Sequence, residues 1–401
     1  MNIQQSNFYG LGIAPQLLET LLKLKFHTPT PIQHQAIPIA LEGKDIIGIA
    51  QTGTGKTMAF GIPMLQRLTA HKGRGLVLVP TRELAVQVKE AIDKIAHAFH
   101  LRTAVFIGGD PIHLQIKALQ RDPRVLIATP GRLIDLVEQR KLNLGDVSIL
   151  VLDEADRMLD MGFAPQIERI LRMLPRARQT MLFSATMPQM ILKIAAQHMN
   201  VPLQVEVAPS GTAPAQVTHE LFIVQKEKKM DLLKKTLEKY RGSVLMFCRT
   251  RRGATRTTKS IRNMGFNAAE IHSDRTQAQR QRALEAFRLG KIRILVATDI
   301  ASRGIDVTGI ELVINYDLPD ETENYVHRIG RTGRAGRAGH AISFAMPDQR
   351  QDVMKIENLI KKTLPVSQHH PDISSTEFNK PQKVFSYNRF RSRAPQRRRR
   401  R

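Results

Sequence analysis

The sequence predicts two tandem α/β domains, each built on a doubly wound parallel β-sheet. Short apolar runs of strand length alternate with longer amphipathic stretches along most of the chain. The short runs are apolar on both faces, which is typical of parallel strands covered by helices. A segment rich in Pro, Gly and Ser at residues 208–215 interrupts this pattern and leaves enough chain on each side for a separate core.

The predicted strands form two series, one on each side of this segment. The first series is Leu76–Val79, Ala104–Ile107, Val125–Ala128, Ile149–Leu152 and Met181–Phe183. The second series is Leu221–Val224, Val244–Phe247, Ala268–Ile271, Ile294–Ala297, Leu312–Asn315 and Ala341–Phe344. The segments between strands show helical spacing, as in Glu83–Ala98, Lys229–Tyr240 and Gln279–Phe287.

These patterns predict four parts in the chain. The first domain is expected at residues 1–207, a flexible linker at 208–215 and the second domain at 216–366. Apolar periodicity stops after Pro365, and the chain ends in five consecutive arginines. Residues 367–401 are therefore predicted to form a disordered basic tail.

The charge balance favours a polyanionic partner. The 401 residues carry a net charge of +25, and the predicted tail contributes +8 of it, so the predicted domains hold most of the excess. Such an excess attracts polyanions, and nucleic acid is the default candidate.

Several other features narrow the class of protein. The single cysteine, Cys248, excludes intrachain disulfides and fits a reducing compartment, so a cytoplasmic location is expected. No apolar run has the roughly 20 residues of a membrane span. Residues 1–10 show no secretory signal pattern.

The strongest local motif is a phosphate-binding loop between an apolar run, Asp45–Ile49, and a helix-compatible stretch, Met58–Leu68. Its residues are Ala50, Gln51, Thr52, Gly53, Thr54, Gly55, Lys56 and Thr57. Glycines allow backbone N–H groups to converge on phosphate oxygens, and the helix N-terminus adds favourable partial charge. Lys56 is expected to reach the phosphates, and the Thr57 hydroxyl to bind Mg²⁺.

Acidic residues follow the predicted strand Ile149–Leu152, at the edge of the sheet where open α/β folds bind ligands. We expect Asp153 to hold Mg²⁺ and Glu154 to orient and deprotonate the attacking water.

The second half contributes the segment His327–Arg334. Arg331 and Arg334 lie three residues apart and can share one helical face. Arginines delivered from another domain are a recurring means of stabilising phosphoryl transfer. The sequence leaves a surface basic helix, or a contact to a nucleic-acid phosphate backbone, equally open.

Taken together, these motifs resemble the DEAD-box RNA helicases, and more narrowly their bacterial RhlE-like branch, over residues 7–366. The resemblance implies two RecA-like domains, ATP and Mg²⁺ as cofactors, and RNA-stimulated ATP hydrolysis coupled to local unwinding of short duplexes or remodelling of RNA–protein complexes. It also implies a monomer, with ribosomal or RNA-decay assemblies as candidate partners.

Adenine recognition is carried over to an upstream segment. Gln33 is expected to bond the adenine edge, Phe26 to stack on the ring, and Phe8 to match the isolated upstream aromatic residue. Lys25 stands where the family usually has Gly; little effect on adenine binding is expected, although the turn before Phe26 can differ. Gly304 and Asp306 match the second domain's contacts to the nucleotide.

The family's coupling and RNA-contact residues are also carried over by position. Asp156, Ser184, Thr186 and His327 match the residues that couple hydrolysis to strand separation. The RNA contacts are Thr81, Arg82, Gly108, Gly109, Thr129, Pro130, Gly131 and Arg132 in the first domain, and Arg249, Gln277, Arg280, Thr298 and Asp299 in the second. Ser273 replaces a usual Gly and fits if its φ is negative. Hydroxyl, guanidinium and backbone N–H groups suit sugar and phosphate oxygens, so binding largely independent of base sequence is expected.

Three other functions remain open at this point. A DNA helicase would share the two-domain core but fits the adenine motif and the Asp153–Asp156 tetrad less well. An RNA chaperone would act through basic surface without needing Lys56, Glu154 and Arg331 together. An ATP-gated RNA clamp would use the same residues as an unwinding enzyme.

Overall fold

A computed structural model describes residues 8–51, 53–207, 217–299, 309–333, 338–375 and 377–379. The predicted linker and most of the predicted tail lie outside these ranges. Within the described parts, no helix combines the length and apolar character that a membrane crossing requires.

The first domain is built on a seven-stranded sheet in which every pairing is parallel, in the order β3-β4-β2-β5-β6-β1-β7. The strands are β1 Ile46–Ile49, β2 Arg74–Leu78, β3 Thr103–Phe106, β4 Val125–Ala128, β5 Val147–Leu152, β6 Gln179–Ser184 and β7 Leu203–Glu206. The central strands are buried on both faces, because helices cover each side.

In the described part of this domain, nine α-helices surround the sheet. They are α1 Pro15–Lys23, α2 Pro31–Leu41, α3 Lys56–Ala70, α4 Arg82–Ala96, α5 Ile112–Leu119, α6 Pro130–Glu138, α7 Ala155–Asp160, α8 Ala164–Met173 and α9 Gln189–His198. One apolar cluster packs α1 to α4 on one face, and a second packs α6 to α9 on the other. The result is a three-layer sandwich.

The second domain repeats this architecture with the strand order β10-β11-β9-β12-β13-β8-β14. Its strands are β8 Val217–Val224, β9 Val244–Phe247, β10 Ala268–Ile271, β11 Ile294–Ala297, β12 Leu312–Asn315, β13 Gly339–Ala345 and β14 Ser374–Ser375. Among the described strands of this domain, β14 alone pairs antiparallel, against β8. The described helices are α10 Lys229–Lys239, α11 Arg251–Asn263, α12 Gln277–Arg288, α13 Glu323–Ile329 and α14 Arg350–Ile360. Apolar clusters again lie on both faces of the sheet.

The predicted fold class is therefore confirmed, but two edge strands were not predicted. In β7 only Val205 is buried, so the strand lacks the continuous apolar run that marks the others. Strand β14 has two residues and gains order from its pairing with Ile223 and Val224.

The first part of the predicted tail, from Ser367, contacts the second domain. The Ser367 amide donates to the Leu221 carbonyl oxygen at 2.7 Å, and the Lys235 ammonium pairs with Asp372 at 3.0 Å. The open edge of β8 thus holds the first part of this polar segment through backbone pairing, which apolar periodicity does not reveal.

Strand register brings three loops to one edge of the first sheet. Ile49 pairs with Ser184, and Leu152 pairs with Leu182. The segments that follow β1, β5 and β6 therefore leave the sheet side by side at its carboxyl edge.

Candidate nucleotide and RNA site

The loop between β1 and α3 has the backbone of a phosphate cradle. Gly53 and Gly55 have φ values of 83° and 91°, a region that favours glycine. The Lys56 ammonium donates to the Ala50 carbonyl oxygen at 2.9 Å, so it spans the loop from end to end. The Thr54 hydroxyl donates to the Gln51 carbonyl oxygen at 2.7 Å. Thr52 lies outside the described residues.

Gln33 contacts this loop directly. Its Nε2 donates to the Gly55 carbonyl oxygen at 3.0 Å, and its Oε1 accepts from the Thr30 amide at 2.9 Å. A carboxamide has two N–H groups and two lone pairs, so one of each remains for a ligand. The capping box of α2 therefore orients the side chain that was predicted to read adenine.

The two predicted aromatic contacts differ in exposure. Phe26 is half-buried against the first core cluster, whereas Phe8 is only 4% exposed and offers a ligand little surface. Lys25, before Phe26, has a φ of 63°, which explains why a glycine suits this position. Ser273 does not have a positive φ, so a serine fits at this position without backbone strain.

Asp153 is a buried carboxylate next to the phosphate loop. It is 3% exposed, and burial raises its pKa to about 6 despite the opposing charge of Lys56. A cation beside it would offset this cost. Thr57 lies in the first turn of α3, and a hydroxyl with one carboxylate suits Mg²⁺ that is also held by phosphates and water. The donor set therefore fits the predicted magnesium site.

Glu154 stands at the start of α7 with left-handed backbone angles, φ 52° and ψ 50°. Its Oε2 accepts from Arg157 Nη1 at 3.0 Å, and both side chains are almost fully buried. Burial alone would raise the pKa of Glu154, but Arg157, followed by Arg331, outweighs it and holds the pKa below its ordinary value. Glu154 is thus an ionised carboxylate fixed in place by Arg157.

Asp156 links α7 to the segment after β6. Its Oδ2 accepts from the Ala185 amide at 3.1 Å, from the Thr186 amide at 2.9 Å and from the Thr186 hydroxyl at 3.0 Å. The Asp156 amide donates to Ser184 Oγ at 3.3 Å. Burial opposes ionisation, but His327 and then Lys56 hold the pKa of Asp156 well below its usual range.

The second domain reaches the same point through α13. His327 Nε2 lies 3.7 Å from Asp156 Oδ2, and both side chains are buried. Burial, followed by the charge of Arg157, lowers the pKa of His327, so its ring is neutral near pH 7. Arg331 is 3% exposed, donates from Nε to the His327 carbonyl oxygen at 3.3 Å, and lowers the pKa of Glu154. Arg334, Gly304 and Asp306 lie outside the described residues.

Sequence reasoning missed two buried arginines. Arg157 is three residues from Glu154, a spacing that places the pair on one helical face and that pointed to it. Arg328 is 1% exposed and grips Asp299 with two bonds of 2.6 and 2.7 Å. No local pattern pointed to that pair, because 29 residues separate its members.

The predicted RNA contacts line two adjoining cavities between the domains. One, of about 460 Å³, is bordered by Thr81, Arg82, Gly108, Thr129, Gly131, Arg132, Gln277 and Arg280, among others. The other, of about 730 Å³, is bordered by Arg249, Thr298 and Asp299, among others. Met161 and Ser273 line both, so the cavities form one groove, which we call the cleft.

The two remaining predicted contacts border neither cavity. Gly109 lies against the Arg82 guanidinium, and Pro130 is buried at the start of α6. An ion pair also crosses the cleft: Arg280 Nη2 lies 2.9 Å from Glu83 Oε1. The side chain predicted to contact RNA therefore also joins the two domains.

Known proteins resemble this chain over most of its length. The family model for the DEAD/DEAH box helicase matches residues 30–194, and that for the helicase conserved C-terminal domain matches residues 228–336. The ATP-dependent rRNA helicase RRP3 of Debaryomyces hansenii is 43% identical over 90% of this chain and 76% of its own length. The DEAD-box ATP-dependent RNA helicase CshA of Bacillus cereus is 42% identical over 90% of this chain and 69% of its own.

A solved structure is similar to this chain over both domains. The structure of S. cerevisiae Dbp5 bound to RNA and ADP BeF3 superposes with a TM-score of 0.81 at 29% identity, covering 90% of this chain and 95% of that one. Both domains contribute to that superposition, which agrees with the contacts that join them here.

Proposed function

This chain belongs to the DEAD-box family of ATP-dependent RNA helicases, and from that premise we propose that it separates short RNA duplexes locally by closing on ATP and one RNA strand. The family accounts for an RNA-dependent ATPase and helicase. The local mode of unwinding, the remodelling of RNA–protein complexes and the residue roles are our proposals. The assignment to the RhlE-like branch and the domain bounds 1–207 and 216–366 likewise stay predictions.

In this proposal the first domain binds the nucleotide. Gln33 and Phe26 receive the adenine, and the loop up to Thr57 receives the phosphates. Thr57 and Asp153 would hold Mg²⁺, which neutralises phosphate charge when bound. The raised pKa of Asp153 supports this role, because a buried carboxylate without a cation is costly.

Hydrolysis needs both domains. Glu154 orients the attacking water, and Arg331 stabilises the charge that develops on the transferred phosphoryl group. The observation that carries the proposal is a contact between the domains: Asp156, two residues from Glu154, accepts from Thr186 of the first domain and lies 3.7 Å from His327 Nε2 of the second. Only a closed pair of domains gives one carboxylate both neighbours.

RNA binding favours closure in this mechanism because the cleft is bordered by side chains of both domains. Asp156 links the hydrolytic helix α7 to Thr186 and faces His327, so it is placed to report closure to the catalytic side chains. A strand bent in the closed cleft excludes its complement, and opening after hydrolysis releases it.

Two variants test this assignment. Lys56→Ala should abolish ATP-dependent unwinding, whereas Lys44→Ala, which removes an exposed lysine before β1, should not. Arg331→Ala should still bind ATP but lose RNA-stimulated hydrolysis. Retained unwinding in the first variant, or retained stimulation in the second, would contradict the site.

Further measurements separate the other functions. Comparing RNA with DNA as the stimulating strand distinguishes an RNA helicase from a DNA helicase. RNA retention that far outlasts a hydrolytic cycle when a nonhydrolysable nucleotide is bound would favour the clamp. Strand annealing without ATP would favour a chaperone.

RRP3 is named an rRNA helicase, which makes ribosome assembly a candidate pathway, with RNA decay as the other. We propose a cytoplasmic monomer. The arm at residues 380–401 holds ten Lys and Arg without Asp or Glu, and we propose that it binds RNA nonspecifically. The test is a chain truncated from Lys380 onward, which leaves the preceding segment on β8 in place; the truncation should weaken RNA binding and flatten its salt dependence. An unchanged salt dependence of RNA binding would exclude the arm.

A further inference from the structure

Helix α11 carries an unbalanced row of positive charge on the outer surface of the second domain. Its thirteen residues include five Lys and Arg and no Asp or Glu. By contrast, α4 mixes both signs along its exposed side. A surface that serves only solubility normally intersperses charges of both signs.

The helix buries its other side. Ala254, Thr257, Thr258 and Ile261 face the core. At 3.6 residues per turn, Arg252, Arg256 and Lys259 lie opposite that face, and all three are exposed. We call these three residues the α11 row.

The members of the row have no acidic partner. Among the described residues, none lies within 4.0 Å of an Asp or Glu oxygen as an ion pair, although the neighbouring Arg251 pairs with Asp274. The charge of the row is therefore available to an external anion.

The row continues from the cleft. Thr250 and Arg251, at the start of α11, border the larger cavity together with the predicted RNA contacts Arg249 and Thr298. From Arg252 to Lys259 the helix then runs roughly 10 Å away from that border. A strand that leaves the cleft on this side meets the row next.

The chemistry of the row suits RNA better than a protein or a membrane. Protein interfaces usually contain aromatic or aliphatic anchors, and their cores are poor in Lys. The exposed side of α11 offers no apolar anchor, and its apolar residues lie in the core, so the helix has none to insert into lipid. Phosphate oxygens need only positive charge and N–H donors.

We propose that the α11 row is a second RNA-binding surface that holds the phosphates of the strand as it continues beyond the cleft. This inference deepens the proposed function and rests on RNA binding in the cleft. Its consequence is that affinity should rise with strand length after the cleft is filled.

The test uses the full chain with Arg252→Gln, Arg256→Gln and Lys259→Gln combined. The matched control combines Arg350→Gln, Lys355→Gln and Lys362→Gln, which removes three exposed charges from the same domain on and after α14, away from both cavities. Replacing Arg252 and Arg256 by Lys preserves the charge of the row. Thermal unfolding verifies that each variant is folded.

Binding of labelled poly(U) strands of increasing length is measured by fluorescence anisotropy at several salt concentrations. Each phosphate contact to a single strand contributes about 0.7 to the slope of log K against log salt, so the row should contribute about 2 on long strands. The Gln variant should lose this contribution on long strands but not on the shortest. The control and the Lys variant should keep it.

An unchanged slope, or an equal loss in the control, would overturn the proposal. RNA-stimulated ATP hydrolysis by the parent chain is measured separately. Its absence would refute the proposed function, whereas the binding slopes still decide whether α11 holds RNA.

Discussion

Replacing Arg157 with Gln should slow RNA-stimulated ATP hydrolysis while leaving ATP binding largely intact. Arg157 Nη1 bonds to Glu154 Oε2 at 3.0 Å, and the two side chains are 3% and 5% exposed. Breaking a buried pair of this kind typically costs about 3–5 kcal/mol of stability, because a buried charge loses its partner. Arg331 and Lys56 also offset the charge of Glu154, so we expect the lower end, about 3 kcal/mol.

The rate should fall as well, because Glu154 would no longer be held in one orientation. A hydrogen bond to a charged group contributes about 1.5–3 kcal/mol. If this free energy is lost only in the transition state, kcat should fall by about ten- to a hundredfold. KM for ATP should change little, since Arg157 is not among the residues proposed to hold the nucleotide.

The pH dependence has a definite sign. Arg157 depresses the pKa of Glu154 against the effect of burial. The contribution of the ion pair to folding stability is therefore fully present above the ordinary pKa of glutamate, and it is lost as pH falls through the depressed pKa of Glu154. Without Arg157 the pKa should rise, so the acidic limb of the kcat profile should move to higher pH.

Steady-state ATP hydrolysis with saturating RNA, measured from acid to neutral pH, gives both kcat and the acidic limb. Arg169→Gln is the matched control, since it breaks an exposed pair with Glu138 and should change stability by about 1 kcal/mol or less. Arg157→Lys keeps the charge and should recover part of the rate. An unchanged kcat and acidic limb in folded Arg157→Gln would refute a positioning role.

Three further outcomes are expected. Glu83→Gln and Arg280→Gln should each raise the RNA concentration for half-maximal ATP hydrolysis by about tenfold, because each breaks the ion pair between the domains. In a double-mutant cycle the two effects should not be additive. Additive effects would mean that the pair does not join the domains. The affinity for ATP with Mg²⁺ should fall by about tenfold per pH unit below pH 6, because Asp153 takes up a proton there. Isothermal titration calorimetry measures this affinity, and the Asp153→Asn variant should not show the pH dependence. Gly55→Ala should lose ATP binding in an equilibrium assay, because its Cβ would lie 2.4 Å from Gln33 Nε2 at a φ of 91°, whereas Gly10→Ala meets open space and should bind normally.

The buried strands were predictable because each is a continuous apolar run. Val125–Ala128, Val244–Phe247 and Leu312–Asn315 were predicted with the bounds that the structure shows. Edge strands such as β7 carry one buried residue, so their pairing is decided by the neighbouring strand and not by their own composition.

The candidate site likewise has features that the local sequence predicts and contacts that it does not. The phosphate loop is a local feature, since consecutive residues with Gly53 and Gly55 determine its backbone. The partners of Asp299 and Glu83 are not local: Arg328 and Arg280 reach them only after the sheets have formed and the domains have met.

By itself, the sequence determined the two α/β domains, the phosphate loop, the acidic edge and the family, because periodicity, glycine placement and consecutive motifs act over short stretches of chain. Tertiary structure alone decided that Arg328 pairs with Asp299, that His327 faces Asp156, that Arg280 joins the domains and that the α11 row begins at the cleft. Those relations depend on which buried charges meet through space, and that follows from packing whole elements together and not from their spacing along the chain.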